Sequence, residues 1–468
     1  MHTIKKYGIM YAKQKPSGCE RKTTMLLIAN AYLMNPADGT EKYCDILIKE
    51  NRIVKIGERL YEGLTNGQAD MAGLLSCNGE GGLEEELQII DATGLIAAPG
   101  LVDVHSHFRD PGFTYKEDIE TGAKAAAKGG YTTVVLMANT KPAVENEETL
   151  SYVLEKGKTT GIHVETCATV TMGMQGKEMV PMELLFEKGA VGFTDDGVPI
   201  LDETLVREAM LMVKKLNVPI SFHEENPAYI KNNGVNEGKA SAYYGIGGAD
   251  RQAEIDLVGR DLEIALETGA CIDVQHISTK EAVELVRQAK KRGGDIHAEA
   301  TPHHFTLTED AVIQYGTLAK MNPPLREEAD RMAVIEGLKD GTIDLIATDH
   351  APHSKEEKDK PITEAPSGIL GLETALGLSI TQLVDAGHLT MMELLEKLTC
   401  NPANMYHLDA GYLAENGPAD IVLFDVNKQW TVKEYASKSN NCPFTGWTLK
   451  GEVQYTICSG KVVYEAKG

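Results

Sequence analysis

The 468-residue chain is 42% hydrophobic and 25% charged, with a formal net charge of −23. That balance describes a soluble globular protein of one large domain or two to three ordinary ones, and it argues against nucleic acid and anionic membrane surfaces as partners. No apolar run approaches the roughly 20 residues needed to cross a bilayer.

The opening segment, residues 1–24, is polar and basic and lacks the apolar stretch of a secretory signal. It is expected to be a disordered extension, with Met25 as an alternative start. The eight cysteines are scattered without a Cys-x-x-Cys pair, a usage that fits reduced, mostly buried thiols in the cytoplasm. Short alternating segments at Met25–Leu33, Asp45–Lys49 and Arg52–Ile56, separated by turn residues, predict a small antiparallel β unit. Residues 61–86, rich in Gly, Asn and Glu, predict an exposed insertion before a strand at Leu87–Ala92.

Next comes an apolar run, Leu95–Val104, that ends in His105-Ser106-His107. Strand alternation puts both imidazoles on one face. That is a start for a metal site, or else a pair of hydrogen-bonded histidines at a strand end. From here to about residue 408 the pattern becomes strand–helix repeats. Further strands are predicted at Thr132–Asn139, His163–Thr171, Ala190–Asp196, Pro219–Glu224, Cys271–Ile277, Asp295–Pro302 and Asp344–His350. Amphipathic helices are predicted between them, among them Tyr115–Lys128, Glu203–Leu216, Gln252–Thr268 and Lys280–Arg292. Eight such units fit an α/β fold of the (β/α)8 TIM-type barrel kind over residues 98–408, with its site at the C-terminal ends of the strands; a doubly wound sheet is the alternative. The last part, residues 409–468, returns to short β segments (Ile421–Phe424, Gln454–Ser459, Lys461–Glu465), expected to join residues 25–97 in one small β domain.

The ends of the predicted barrel strands collect chemistry-bearing residues. Strand one gives His105, His107 and Arg109, strand two Asn139, and strand four Asp195 and Asp196. His223 closes strand five, His276 strand six, and Asp349 strand eight, followed by His350 and His353. Convergent polar groups of this kind mark a site. Imidazole and carboxylate ligands suit Zn2+ with an open position, a carboxylate able to reach two ions would allow a binuclear centre, and a further carboxylate can shuttle a proton. Arg109 can hold a substrate carboxylate through two parallel hydrogen bonds.

The segment from Pro99 through His105-Ser106-His107 to Gly112 resembles the signature of the amidohydrolase superfamily. Together with Asn139 in Met137–Pro142 and with Ala347-Thr348-Asp349-His350-Ala351-Pro352-His353, the chain is similar to class I dihydroorotases from about Met25 to its end. The resemblance implies a zinc-dependent barrel flanked by a β-sandwich, and reversible cyclisation of N-carbamoyl-L-aspartate to L-dihydroorotate in pyrimidine biosynthesis. It implies His105 and His107 on one metal, His223 and His276 on a second, Asp196 bridging, and Asp349 as both ligand and general acid/base. It further implies that His107, Arg109, Asn139, Asn322, His353, Ser367 and Gly368 bind substrate. In one departure, many superfamily members bridge with a carboxylated lysine where this chain has aspartate. The shorter side chain leaves the count at one or two zinc ions, and Asp195 and Asp196 could exchange roles. A homodimer and an association with aspartate transcarbamoylase are the expected assemblies.

The alternatives are another cyclic amide hydrolase (hydantoinase, dihydropyrimidinase or allantoinase) and a catalytically inactive scaffold relative. His303, His304 and His350 are expected to support the ligands by hydrogen bonding. The charged run Lys355–Pro366 reads as a solvated loop or a mobile lid. Residues 234–250, with Gly245-Ile246-Gly247-Gly248, read as a flexible loop, since no phosphate-binding fingerprint precedes them.

Overall fold

The computed structural model describes residues 5–8, 24–66 and 86–467. Most of the segment expected as an extension, and residues 67–85 of the expected insertion, lie outside the described residues. The exceptions are Lys5–Gly8, which form strand β1, residues 61–66, which belong to the short helix Leu60–Asn66, and Thr24 and Glu86, each the first residue of a strand.

The fold is mixed α/β. Strands β2 (Thr24–Asn35), β3 (Thr40–Lys49), β4 (Arg52–Gly57), β5 (Glu86–Asp91) and β6 (Ile96–Pro99) open the chain. They belong to a nine-stranded sheet. Here β3 pairs antiparallel with β2 and β4, while β5 and β6 run parallel to β2. Its apolar residues, such as Leu26, Ile28, Ile46 and Ile90, are buried against Leu413, Ile421 and Ile457 from the far end of the chain.

Parallel pairing begins at β7 (Leu101–Ser106) and continues through β8 (Tyr131–Leu136) to β9 (His163–Thr166). Single parallel bridges, Ala168 to Phe193 and Phe193 to Ile220, carry it to β10 (Ile220–Phe222). From there it passes through β11 (Ile272–Val274) and β12 (Ile296–Ala300) to β13 (Leu345–Ile346). A parallel bridge from His350 returns to Ser106 in β7. Helices fill the crossovers: Ile119–Lys128, Glu147–Gly157, Glu203–Leu216, Gln252–Thr268, Lys280–Lys291 and Glu328–Asp340. Their starts are fixed chemically. Asp118, for example, accepts from Thr121 N at 2.9 Å while Thr121 returns its hydroxyl to Asp118 N, satisfying two donors the helix cannot. Their buried faces (Ile119, Ala126, Val206, Leu262 and Val286 among them) join one continuous core with the strands.

The chain closes with β14 (Ile421–Thr431), β15 (Thr448–Cys458) and β16 (Lys461–Glu465). Because β14 pairs with β6, the two ends of the chain share the nine-stranded sheet.

The paired strands are shorter than the apolar runs suggest. The sixth expected strand, Cys271–Ile277, is regular only to Val274, although Ile277 N still donates to Glu299 O at 2.9 Å; the eighth, Asp344–His350, is regular only over Leu345–Ile346, with His350 rejoining at its bridge to Ser106. His276 has φ 34° and Asp349 φ 45°, which is incompatible with extended backbone. The chain therefore breaks the ladder at the residues it presents and rejoins it just after them.

Candidate active site

Past the C-terminal ends of β7, β8 and β10–β13 the chain builds a cavity of about 350 Å3. Asp196 stands at its centre. Its Oδ1 is 3.6 Å from His105 Nε2, 3.7 Å from His223 Nδ1 and 3.9 Å from His276 Nε2, and its Oδ2 is 3.5 Å from His107 Nε2. Asp349 Oδ1 lies 3.0 Å from His107 Nε2 and 3.7 Å from His105 Nε2. Asp195, the other member of the pair, turns away and accepts from Val170 N at 2.8 Å, from Thr171 N at 3.2 Å and from the Thr171 hydroxyl.

Three of the four imidazoles are oriented by a partner outside this centre, while His276 Nδ1 is buried with no hydrogen-bond partner among the described residues. His105 Nδ1 faces Glu299 Oε2 at 2.8 Å, His107 Nδ1 faces Asn139 Oδ1 at 3.0 Å, and His223 Nε2 faces Glu225 Oε2 at 3.1 Å. With those nitrogens donating, the other ring nitrogen of each presents a lone pair toward Asp196. His105 Nε2 is buried with no hydrogen-bond partner among the described residues. His223 Nδ1 and His276 Nε2 face each other at 2.9 Å. Converging lone pairs around a buried carboxylate fit divalent cations. Two ligand sets, His105/His107/Asp196 and Asp196/His223/His276, each bring their ligand atoms within 4.8 Å of one another.

Burial sets the protonation of these groups. It pushes His107 and His276 well below the usual imidazole range, helped by Arg109 at the first and by the other histidines at the second. Both are thus neutral, as ligation requires. At His105 burial pulls the same way, but the Glu299 carboxylate overcomes it and raises the pKa. Burial raises Asp349, against the pull of His105 and Arg109.

The remaining candidates divide by what they touch. His107, Arg109, Asn139, Asn322, His353, Ser367 and Gly368 all line the cavity. Arg109 is half-buried, and its Nε donates to the Pro352 carbonyl at 3.3 Å. Asn139 is already engaged: besides its contact with His107, its Nδ2 donates to Asp196 Oδ2 at 2.8 Å. Asn322 Nδ2 lies 3.0 Å from His223 Nε2. Gly368 sits at φ +145°, where an added Cβ would meet the His353 ring at 2.7 Å, so the rim there admits only glycine. His304 bridges Thr301 Oγ1 at 2.7 Å and the Pro323 carbonyl at 3.0 Å. His350 contributes backbone, its carbonyl accepting from His107 N at 2.9 Å.

Sequence reasoning missed Glu299, Glu225, Lys358 and Asn441. Lys358 Nζ donates to the Pro366 and Gly368 carbonyls at 2.9 and 3.0 Å, and Asn441 Nδ2 donates to the Gly368 carbonyl at 3.0 Å. The charged run at 355–366 is therefore fastened to the cavity rim, with Lys320 Nζ adding bonds to the Ile362 and Ala365 carbonyls at 2.7 Å each. For Glu299 a signal existed: one acidic residue in the otherwise small and apolar end of a predicted inner strand.

This fold and this site define a class. A model of the amidohydrolase family matches residues 96–463, and the chain belongs to that family. It is 52% identical over 442 residues to a dihydroorotase from Clostridioides difficile, covering 94% of this chain and 100% of that one. It is 50% identical over 444 residues to a dihydroorotase from Streptococcus pneumoniae, with the same coverage. Among solved structures, an L-hydantoinase from Arthrobacter aurescens superposes with a TM-score of 0.80 at 24% identity, covering 95% of this chain and 96% of that one. A D-hydantoinase from a Thermus species gives 0.78 at 22% identity, covering 95% and 97%. Among the described residues no helix is long and apolar enough to cross a membrane.

Proposed function

We infer that the protein is a dihydroorotase, a cyclic amide hydrolase that interconverts N-carbamoyl-L-aspartate and L-dihydroorotate. The observation that carries this reading is a half-buried arginine, largely withdrawn from solvent, on the wall of the same cavity that holds the histidine–aspartate cluster. A substrate without a carboxylate would leave that guanidinium unpaired, which is costly. The dihydroorotase relatives at about half identity point the same way.

On this reading His105, His107, His223, His276, Asp196 and Asp349 would hold one or two zinc ions, with Asp196 shared. Bound there, the ions supply a nucleophile from water at neutral pH and polarise the carbonyl under attack. The chain's own residues do the rest. Arg109 grips the substrate carboxylate, with Asn322, His353 and the Ser367-Gly368 turn closing around the ring. Asn139 spans His107 and Asp196 and keeps both aimed while its amide borders the substrate. In ring opening, Asp349 takes the proton of the attacking water and delivers it to the departing ring nitrogen. In ring closure it returns that proton to the leaving water.

The proposed architecture is a (β/α)8 barrel over residues 98–408 with a β-sandwich domain from 25–97 and 409–468. Parallel pairings that come back to β7 support it, since an open doubly wound sheet would leave two unpaired edges. The same reading carries a cytoplasmic homodimer, open to association with aspartate transcarbamoylase.

The test is turnover of L-dihydroorotate beside dihydrouracil and hydantoin, in the wild type and in Arg109→Met. Losing one partner of a buried charged pair costs about 2–5 kcal/mol, so kcat/KM for dihydroorotate should fall on the order of 30- to 5000-fold. Wild-type activity confined to the uncharged rings, or an unimpaired Arg109→Met enzyme, would overturn the substrate assignment.

A further inference from the structure

A second set of metal-ligating side chains lies at the opposite end of the parallel strands. Cys271 immediately precedes β11, Asp295 immediately precedes β12, and His297 is the second residue of β12. One ligand atom from each lies within 4.8 Å of the others. His297 Nε2 and Asp295 Oδ1 are 3.4 Å apart. Two donors each about 2.0–2.1 Å from one tetrahedral ion stand roughly 3.4 Å from one another.

The imidazole is also oriented as a ligand would be. Its Nδ1 is 2.6 Å from Asp344 Oδ2. Asp344 is itself anchored, because its Oδ1 accepts from Ala298 N at 3.2 Å and from Lys290 Nζ at 3.0 Å. A fixed carboxylate on one ring nitrogen that leaves the other free is the usual support of a metal-bound histidine. These residues line a cavity of about 330 Å3, shared with His407, Asn401 and Lys214. The Asp295 side chain is 56% exposed, so solvent and ions reach the group. None of the three ligands belongs to the catalytic cavity.

We propose that Cys271, Asp295 and His297 form a second metal site, for a borderline-soft divalent cation of the Zn2+ type, with solvent in the fourth position. Thiolate, imidazole and carboxylate together favour such a cation over Mg2+ or Ca2+. Its role is bracing. The ion ties the feet of β11 and β12 where their ladder begins, at Ile272 opposite Ile296, far from the reacting groups. The rival is a metal-free cluster in which a protonated His297 bridges Asp295 and Asp344.

Cobalt(II) separates the two. The full-length protein would be stripped with a chelator, reloaded with Co2+ and scanned in the near ultraviolet for thiolate-to-cobalt charge-transfer absorption. The residues lining the catalytic cavity include no thiol, so the band cannot arise there, and the cysteine variants assign it to one thiol. It is expected in the wild type, and it should vanish with one bound equivalent in both Cys271→Ser and His297→Ala while dihydroorotate turnover is retained. The wild-type spectrum decides even if a variant fails to fold. No band at saturating Co2+ would overturn the proposal, as would a band that survives in Cys271→Ser. A band abolished only by Cys458→Ser would do the same, because that thiol stands with His163 and Asp420 in a separate group.

Discussion

Replacing Lys358 with methionine removes a buried ammonium while keeping a side chain of similar length. Lys358 is 3% exposed, and its Nζ donates to the carbonyls of Pro366 and Gly368. The two carbonyls are affected unequally. Gly368 O keeps a bond from Asn441 Nδ2 at 3.0 Å; Pro366 O keeps no other donor among the described residues. An acceptor left without its donor costs about 1–3 kcal/mol. Because Pro366, Ser367 and Gly368 line the cavity, that cost falls on the population of the rim in its binding conformation. KM for dihydroorotate should therefore rise about 5- to 150-fold, with a smaller change in kcat. Burial, reinforced by Lys320, lowers the Lys358 pKa from 10.5 to about 7, and this adds a pH signature. Between those values the unfolded chain binds a proton that the folded chain has released, so stability rises with pH across that window, by at most about 1.4 kcal/mol per pH unit. The methionine variant should lose this slope. Steady-state kinetics and chemical denaturation at pH 7 and pH 9 measure both effects. Wild-type KM together with an unchanged slope would refute the idea that this lysine clamps the rim.

The same geometry assigns outcomes elsewhere. Glu299→Gln weakens the partner that fixes the His105 ring, and metal affinity, read by chelator competition, should drop about 10- to 100-fold; an unaltered affinity would show the ring is held by packing alone. Asp195→Asn should cost about 1–3 kcal/mol in denaturant unfolding through its bonds to Val170 and Thr171, yet retain bound metal. Asp196→Asn should release metal instead. The opposite pattern of metal loss between these two variants would exchange their roles.

Much of the site was legible because its residues follow a positional rule. Six of the eight predicted strands end in a residue type that binds cations or anions, and sequence order alone aligns those ends. Helix bounds were equally readable wherever a cap is local, as at Glu203–Leu216 behind Asp202, whose carboxylate accepts from Thr204 N at 2.9 Å. The supporting residues were hidden for the converse reason. Glu299 meets His105 across 194 positions, and Asn441 reaches Gly368 from the last part of the chain across 73. No pattern of period two or 3.6 encodes such a pairing, since it depends on how the parallel strands and the terminal sheet pack together. Strand ends were misjudged because the apolar pattern continues through residues whose backbone has already turned out of the ladder. Cys442, Phe444 and Leu449 pack with Met321, Leu325 and Ile369 behind the cavity rim, so the C-terminal segment helps to shape the site it was read as merely flanking.

On the proposed mechanism, Asp349 is where the site should trade stability for function. It holds a positive φ of 45°, is 6% exposed, and carries a carboxyl whose pKa is raised by burial despite the nearby His105 and Arg109. A raised folded-state pKa means that the metal-free fold disfavours the ionised form, so stability falls as pH climbs past the unfolded carboxylate value. Asparagine tolerates the left-handed backbone and carries no charge. Asp349→Asn should therefore stabilise the chelator-treated protein by about 0.5–2 kcal/mol, while turnover is lost. Denaturant unfolding over a falling pH series from pH 7 tests the cause, because the gain should shrink as the wild-type carboxyl takes up its proton. A variant no more stable than wild type at pH 7 would mean that the histidines and Arg109 already compensate the buried charge. The fold would then bear no standing cost for its proton shuttle.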